Sequence, residues 1–328
     1  MSDRIVRIEA PARLHFGMLD LRGSLGRRFG GIGAGMFDPS LVLEVERADR
    51  VEAEGAEAHR AAEFAQRYLD SQGIRAGARV VIRHAIPEHA GLGSGTQLAL
   101  SVARGIAELY DRPTSAALLA TAVGRARRSA IGTWLFEGGG FIVEGGIRQD
   151  SDRIAPLLAR LPIPDSWRCV VAVPSNAEGM SGESEIQAFR KLPPPSLHEV
   201  EHVAHLLIMS LLPALAEGDL DAFGRAITTI QHINGDWFAP AQGGTFASRA
   251  GTELISMLTE WGAAGVGQSS WGPAVYGIVS GEDRAVELAS NARAALNGAG
   301  TVYVHQFANT GARVTVLDSA AHAATLRI

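Results

Sequence analysis

The 328-residue chain predicts an α+β protein of two domains, 1–165 and 166–328. Three observations predict it. Strand and helix patterns are mixed in both halves without a strict βαβ repeat. A glycine-rich turn, Ile86 to Gln97, stands between a strand pattern and a helix pattern in the first half. A second glycine-rich turn, Gly265 to Pro273, precedes a strand pattern in the second. The length suffices for a substantial core.

The elements follow in order. Ile5 to Ile8 alternates with charged residues, as a half-buried strand does, and Leu41 to Val51 alternates similarly. Ala58 to Ser71 has the spacing of an amphipathic helix, and Ala78 to Ile82 that of a strand. Helices are expected over Gln97 to Tyr110 and Ser115 to Arg128, interrupted by Asp111-Arg112-Pro113. Gly138 to Val143 reads as a turn and a strand, and Asp150 to Asp165 as irregular. Arg168 to Val173 opens the second half as a strand. Helices are expected near Leu197 to Ala216, Leu220 to Ile233, Ala247 to Trp261 and Arg284 to Leu296, with strands over Ala274 to Val279 and Thr301 to Gln306. Gly30 to Gly35 is so glycine-rich that it reads as a mobile or tightly turned segment near a ligand.

The first glycine-rich turn carries the chemistry. Strand, turn and helix in succession present free backbone N–H groups at a helix N-terminus, which suits a phosphate. The candidate phosphate contacts are Gly91, Leu92, Gly93, Ser94, Gly95, Thr96 and Gln97. Ser94 and Thr96 add hydroxyls that can also reach a metal ion. The segment has neither the Gly-Lys-Ser/Thr of a Walker loop nor G-x-G-x-x-G spacing.

Composition excludes several classes. The net charge of −5 leaves no electrostatic footprint for nucleic acid. Cys169 is the single cysteine, so an intrachain disulfide or a cysteine-based zinc site is ruled out, and its apolar surroundings read as a core position. The N-terminus lacks an apolar signal region, and no apolar run looks long enough to cross a bilayer. A cytoplasmic protein without a membrane partner is expected. His202 and His205, spaced i, i+3, and His232 form a weaker metal candidate that lacks a paired acid.

Three motifs carry a resemblance. Pro87-x-x-x-Gly91-Leu92-Gly93-Ser94-Gly95, the early Ala10-Pro11-Ala12-Arg13 and the late Gly265 to Pro273 turn stand in one order along the chain. Together they resemble the GHMP superfamily of galacto-, homoserine, mevalonate and phosphomevalonate kinases. That resemblance implies a GHMP-kinase-like two-domain fold, with a ribosomal-protein-S5-like N-terminal domain and an α/β-sandwich C-terminal domain. Kinases of the superfamily usually carry a metal-binding glutamate and then an aspartate before the strand around Phe141. Here the stretch Gly124 to Glu137 has arginines at 125, 127 and 128, and its one carboxylate, Glu137, comes later than either position. This stretch suits anions better than phosphoryl transfer, which needs magnesium and a positioned hydroxyl.

Arg127-Arg128-Ser129-Ala130-Ile131-Gly132-Thr133-Trp134-Leu135-Phe136-Glu137, with Gly138 to Gly146, Ala12 to Gly17, Phe29 to Gly33, Pro174 to Met180 and Gln268 to Pro273, resembles one branch of the superfamily, the β-ribofuranosylaminobenzene 5′-phosphate synthases. The resemblance implies that 5-phosphoribosyl 1-diphosphate condenses with 4-aminobenzoate, or 4-hydroxybenzoate, losing carbon dioxide and diphosphate. It further implies tetrahydromethanopterin biosynthesis, Mg²⁺ as cofactor, no ATP consumption and a homodimer.

On this reading Arg125 and Arg128 share a helix face and meet phosphate or carboxylate, while Arg127 points elsewhere. Arg13 and His15 alternate on a strand toward one face, and His15 orients the substrate or moves a proton. Phe16, Phe29, Trp134 and Trp271 are candidates for a flat aromatic slot, and Gly31 and Ser129 for further substrate contacts. Gln268, Ser269 and Ser270 in the closing turn are candidates for the ribose phosphate. Two other function classes remain: a superfamily kinase with relocated acid groups, and a non-catalytic relative that binds phosphate.

Overall fold

The computed structural model describes residues 4–148, 150–151, 153–175, 179 and 182–318. The structure holds two β-sheets, each packed by helices. The first sheet runs β12-β1-β2-β4-β3, with β5 and β6 also pairing β2 and β7 pairing β5. Its long members are β1 (Arg4–Asp20) and β2 (Arg27–Ala48), which pair antiparallel; β3 is Glu52–Glu54 and β4 is Gly77–His84. β5 (Phe141–Glu144), β6 (Ile147–Arg148) and β7 (Leu157–Leu161) extend it. The second sheet is antiparallel, ordered β11 (Gly300–Gln306), β8 (Trp167–Pro174), β10 (Val275–Ser280), β9 (Gly265–Gln268). The last strand, β12 (Arg313–Asp318), crosses back and pairs with β1 from Arg4↔Asp318 to Glu9↔Arg313.

Helices α1 (Ala58–Ser71) and α2 (Ser94–Leu109) cover the first sheet. α1 buries Ala61, Phe64, Ala65, Tyr68 and Leu69, an i, i+3, i+4, i+7, i+8 stripe. α2 comes so close to β2 that a Cβ at Gly105 would sit 2.4 Å from Val45 Cγ2. α3 (Ala116–Ala122) and α4 (Ile131–Gly138) follow. In the second half come α5 (Gly182–Lys191) and α6 (Leu197–Leu206), the latter opened by a reciprocal Ser196–Glu199 capping box. A π-helical turn, Leu207–Leu211, joins α6 to α7 (Leu212–Glu217). α8 (Leu220–Gln242), α9 (Arg249–Glu260) and α10 (Glu282–Leu296) complete the set. Asp219 caps α8 by accepting from the Ala222 N–H.

Four expectations change. The helix expected to reach Arg128 stops at Ala122, because Gly124 (φ 70°) and Ala126 (φ 60°) take left-handed conformations that a helix cannot continue through. The arginines therefore sit on an irregular connection, not on one helix face. Gly30 to Gly35 is neither loose nor a loop; it lies within β2 and is buried throughout. Close packing explains its composition: a Cβ at Gly33 would fall 2.5 Å from Leu14 O and 2.7 Å from Ile131 Cγ2. The segment expected to be irregular before residue 165 contains β7, held by register with β5. Finally, the helical run Leu197–Glu217 is long and apolar enough, by length and composition, to cross a bilayer. Here Val203, Leu207, Leu211, Ala214 and Leu215 pack one of its faces into the core.

Candidate active site

The phosphate turn ends on Gly93, whose left-handed backbone (φ 76°) caps α2 without any side-chain hydrogen bond. No acidic residue occupies the first turn of α2. The N–H groups of Ser94 and Gly95 lie where the helix offers them no carbonyl. They open on a cleft of about 440 Å³. An uncapped helix start facing such a cleft favours an anion.

Four arginines line the same cleft: Arg13 from β1, Arg60 from α1, and Arg125 and Arg128 from the connection after α3. A Cβ at Gly95 would come within 2.3 Å of Arg60 Nη2 and 3.0 Å of Arg125 Nη2, so both guanidiniums close over the helix start. The Arg13 backbone N–H donates to Leu92 O at 2.8 Å, and its Nη1 donates to Gly91 O at 3.3 Å. That ties β1 to the turn. Arg125 stacks over the Phe64 ring at 4.9 Å, and among the described residues its buried Nε has no hydrogen-bond partner. Burial, followed by the neighbouring Arg60 and Arg67, pushes Arg125 down to about 10. Burial does the same to Arg13, against the opposing pull of Glu185. Both remain cationic at neutral pH, in a field that an incoming anion relieves.

Three carboxylates temper this charge. Arg60 pairs with Glu57 and, at 3.9 Å, with Glu88. Arg128 donates to Glu185 of α5 at 2.5 Å. The second half of the chain therefore reaches into the cleft. Arg127 is exposed and is absent from the cleft lining; it lines a neighbouring groove that Arg125 shares.

The closing turn packs against the phosphate turn. Ser269 Oγ donates to Gly91 O at 2.7 Å and accepts from the His15 backbone N–H at 3.0 Å. A Cβ at Gly91 would lie 2.2 Å from Ser269 O, so glycine (φ 77°) is required for this approach. Ser270 holds a left-handed backbone (φ 56°), which costs a non-glycine residue energy and clusters at functional sites. It lines both the cleft and a second, small cavity of about 30 Å³. His15, Met18, Phe238, Gln268 and Trp271 help line that cavity.

The structure thus brings together Arg13, Arg125, Arg128, Gly91 to Thr96 and Ser270 around the cleft, and places His15, Gln268 and Trp271 at the adjoining cavity. Other predicted contacts lie elsewhere. Phe16 is fully buried among Phe141, Tyr276 and Phe307, so it is core and not slot. Trp134 packs against Ile131, Leu135 and Ile142 and donates its Nε1–H to Ala155 O. Phe29 packs edge-on to Phe189. Gly31 sits in β2, where a Cβ would crowd His15 Nε2 at 3.2 Å; its contribution is room for the imidazole. Gln97 is buried and donates to Gly132 O, linking α2 to α4. Ser129 turns toward Glu144, away from the cleft. Asn176, Ala177, Glu178 and Met180 of the loop after β8 lie outside the described residues.

Arg60, Glu57, Glu88 and Glu185 were not foreseen. Arg60 belongs to a helix whose pattern signals only amphipathicity, and Glu185 lies in a stretch without a motif. Among the described residues no three His, Cys, Asp or Glu side chains converge as a metal site, which removes the His202, His205 and His232 candidate. Cys169 is fully buried in β8, and burial raises its thiol well above the usual range.

Family models of the GHMP kinases N terminal domain and the GHMP kinases C terminal domain match residues 57–134 and 211–298. Solved structures with this fold include a homoserine kinase from Cytophaga hutchinsonii (TM-score 0.69, 18% identity, covering 96% of this chain and 98% of that one). Another is the Lactococcus lactis galactokinase (TM-score 0.67, 12% identity, 94% and 95%). These identities show the shared fold alone. Closer in sequence are three archaeal proteins named β-ribofuranosylphenol 5′-phosphate synthase. The Methanothermobacter thermautotrophicus protein is 35% identical over 93% of this chain and 97% of its own length. The Archaeoglobus fulgidus protein is 32% identical (86% and 90%), and that of Methanocaldococcus jannaschii 31% identical (82% and 88%). With fold, motif order and full-length similarity in agreement, the chain belongs to the β-ribofuranosylphenol 5′-phosphate synthase family within the GHMP fold.

Proposed function

We propose that this enzyme transfers the ribosyl 5-phosphate group of 5-phosphoribosyl 1-diphosphate to the carboxylate-bearing carbon of a 4-substituted benzoate, releasing diphosphate and carbon dioxide. The observation that carries the proposal is the convergence of Arg13, Arg60, Arg125 and Arg128 on an uncapped helix start, in a chain whose relatives bear this synthase name. The relatives' name specifies a phenol product, which a 4-hydroxybenzoate acceptor yields and a 4-aminobenzoate acceptor does not. The 4-hydroxy acid is therefore the acceptor favoured here.

The chemistry needs little proton transfer. The C1–oxygen bond of the ribosyl group breaks, and its electron pair leaves with the diphosphate. The first-turn N–H groups of α2, with Arg60 and Arg125 above Gly95, face the charge that develops on this leaving group. The ring carbon forms the new bond to C1. The carbon–carboxylate bond then breaks, its electrons restore the aromatic ring, and carbon dioxide departs. Arg128, and Arg13 beside the turn, suit the benzoate carboxylate before it is lost.

Magnesium would be held here by carboxylates and hydroxyls of the cleft together with the substrate's phosphates. Magnesium characteristically takes one or two carboxylates plus phosphates, and Ser94, Thr96, Glu88 and Glu185 line the cleft without forming a complete cage. When bound it supplies further neutralisation of the diphosphate charge. A homodimer, cytoplasmic location and tetrahydromethanopterin biosynthesis complete the proposal.

The test is incubation with 5-phosphoribosyl 1-diphosphate, 4-hydroxybenzoate or 4-aminobenzoate, and Mg²⁺. Equimolar release of carbon dioxide and diphosphate is expected. ATP consumption with sugar or isoprenoid alcohols, without those two products, would establish a kinase instead.

A further inference from the structure

Among the described residues, the wall of the small cavity beside Ser270 includes one residue with a buried side-chain nitrogen that makes no hydrogen bond, His15. The amides of the wall are committed: Gln231 donates to Phe16 O and accepts from the Gln268 N–H, at 2.7 and 2.8 Å. Asn234 accepts from the Met18 N–H and donates to Met18 O. Gln268 accepts from the Ala247 N–H and donates to Ser270 O. The Gln231 and Asn234 bonds pin the β-bulge of β1 between His15 and Gly17 against α8. His15 is only 5% exposed, and among the described residues its Nε2 has no partner. A buried imidazole nitrogen left unmade costs stability, so its retention asks for a ligand. Burial, with Arg13 nearby, pushes His15 down to about 3. The ring is neutral at physiological pH.

The rest of the wall is mixed: Met18, Phe238, Phe246 and Trp271 supply apolar surface, Phe238 and Trp271 with centroids 4.7 Å apart, and Gln242, Thr245 and Ser270 supply polar edges. At about 30 Å³ the cavity admits one or two water-sized groups and not a ring. Ser270 belongs to both this cavity and the cationic cleft, so the two adjoin there.

We propose that this cavity is the seat of the acceptor's para substituent, and that His15 Nε2 is the atom that reads it. The inference rests on the benzoate reading above. The ring lies at the mouth near Ser270 and Trp271, its carboxylate end toward the arginines and its para hydroxyl on the imidazole. As the ring carbon bonds to C1, positive charge spreads onto the para oxygen. A neutral Nε2 lone pair accepting from that hydroxyl stabilises the charge without removing the proton. A hydroxyl fits the space and the acceptor; a larger para group does not.

The experiment compares His15→Leu, which fills the ring's space without a polar tip, with His15→Gln, which restores one. Binding of 4-hydroxybenzoate and unsubstituted benzoate is measured by calorimetry, alongside steady-state kinetics. Wild type should bind the hydroxy acid about tenfold more tightly than benzoate, the scale of one good hydrogen bond. His15→Leu should abolish that preference, leave the KM for 5-phosphoribosyl 1-diphosphate within about twofold, and keep the melting temperature. His15→Gln should restore part of the preference. An undiminished preference in His15→Leu overturns the proposal, as does equal loss for both acids and the donor, which would mark a purely structural histidine. Should His15→Leu fail to fold, His15→Gln and wild-type binding of 4-methoxybenzoate decide: tight binding of the larger acid overturns the proposal. Preferential, His15-dependent binding without turnover would support the cavity and refute the ribosyl-transfer reading.

Discussion

Gly95→Ala should stabilise the protein and impair it at once. Gly95 lies in the first turn of α2 and does not have a positive φ, so alanine fits the backbone. Replacing glycine by alanine within a helix contributes about 0.5–1 kcal/mol of stability. The new methyl, however, would stand 2.3 Å from Arg60 Nη2 and 3.0 Å from Arg125 Nη2. Both contacts are tips of flexible side chains, so the guanidiniums move and the fold does not. What moves is the cationic cover of the helix start. A hydrogen bond to a charged group contributes about 1.5–3 kcal/mol. Losing one such contact therefore raises the KM for 5-phosphoribosyl 1-diphosphate by roughly ten- to a hundredfold. Partial exposure of Arg60 places the effect toward the lower end. Thermal melts and steady-state kinetics on the same preparation read both effects. A raised melting temperature with an unchanged donor KM would refute the placement of the diphosphate beneath Arg60 and Arg125.

Gly93→Val should raise the donor KM and also lower stability, since φ is 76° there and a Cβ would press on Arg13 Cβ at 3.0 Å; an unchanged KM in folded protein removes the turn from the site. Arg125→Ala and Arg128→Ala should each weaken donor or benzoate binding by about 2–5 kcal/mol, whereas Arg127→Ala should match wild-type kinetics; three indistinguishable variants would make all of these surface charges. Glu137→Gln should keep turnover at saturating Mg²⁺, because Glu137 pairs with Arg160 at 3.5 Å and does not line the cleft. Glu88→Gln and Glu185→Gln should also turn over, since ring-carbon attack needs no general base; a carboxylate variant that binds both substrates yet shows no chemistry revives an acid–base mechanism. Burial raises Glu144 from 4.5 to about 7 although it accepts from the Ala130 and Gly146 N–H groups. The native state then holds the proton more tightly, so stability falls as pH rises from about 4.5 to 7, by up to about 3 kcal/mol. Denaturant melts across that window should show the slope in wild type and lose it in Glu144→Gln.

Much of this was legible from local pattern. α1 announced itself through Ala61, Phe64, Ala65, Tyr68 and Leu69, whose spacing depends on the helix alone. The turn from Gly91 to Thr96 was legible because glycine at a strand–helix junction has few other uses. Arg125 and Arg128 were found for a partly mistaken reason. They share the cleft through the fold of a connection set by Gly124 and Ala126, and not through helical periodicity. Gly30 to Gly35 misled because glycine's value there is tertiary: Leu14 and Ile131 need the space. Phe16 and Trp134 misled because an aromatic residue beside a motif serves a core as readily as a slot. Arg60 and Glu185 were illegible because their approach to the cleft depends on how α1 and α5 pack, which no local spacing encodes.

The central claim is that a kinase-like phosphate site here makes a carbon–carbon bond. Carbon NMR of the product formed from 5-phosphoribosyl 1-diphosphate and 4-hydroxybenzoate, labelled with ¹³C at the carboxylate-bearing ring carbon, tests it most directly. The account predicts a one-bond coupling between that carbon and the ribose anomeric carbon, in a product that has lost the carboxylate. A product that retains the carboxylate, with ribose on oxygen or with a transferred phosphate, would contradict it.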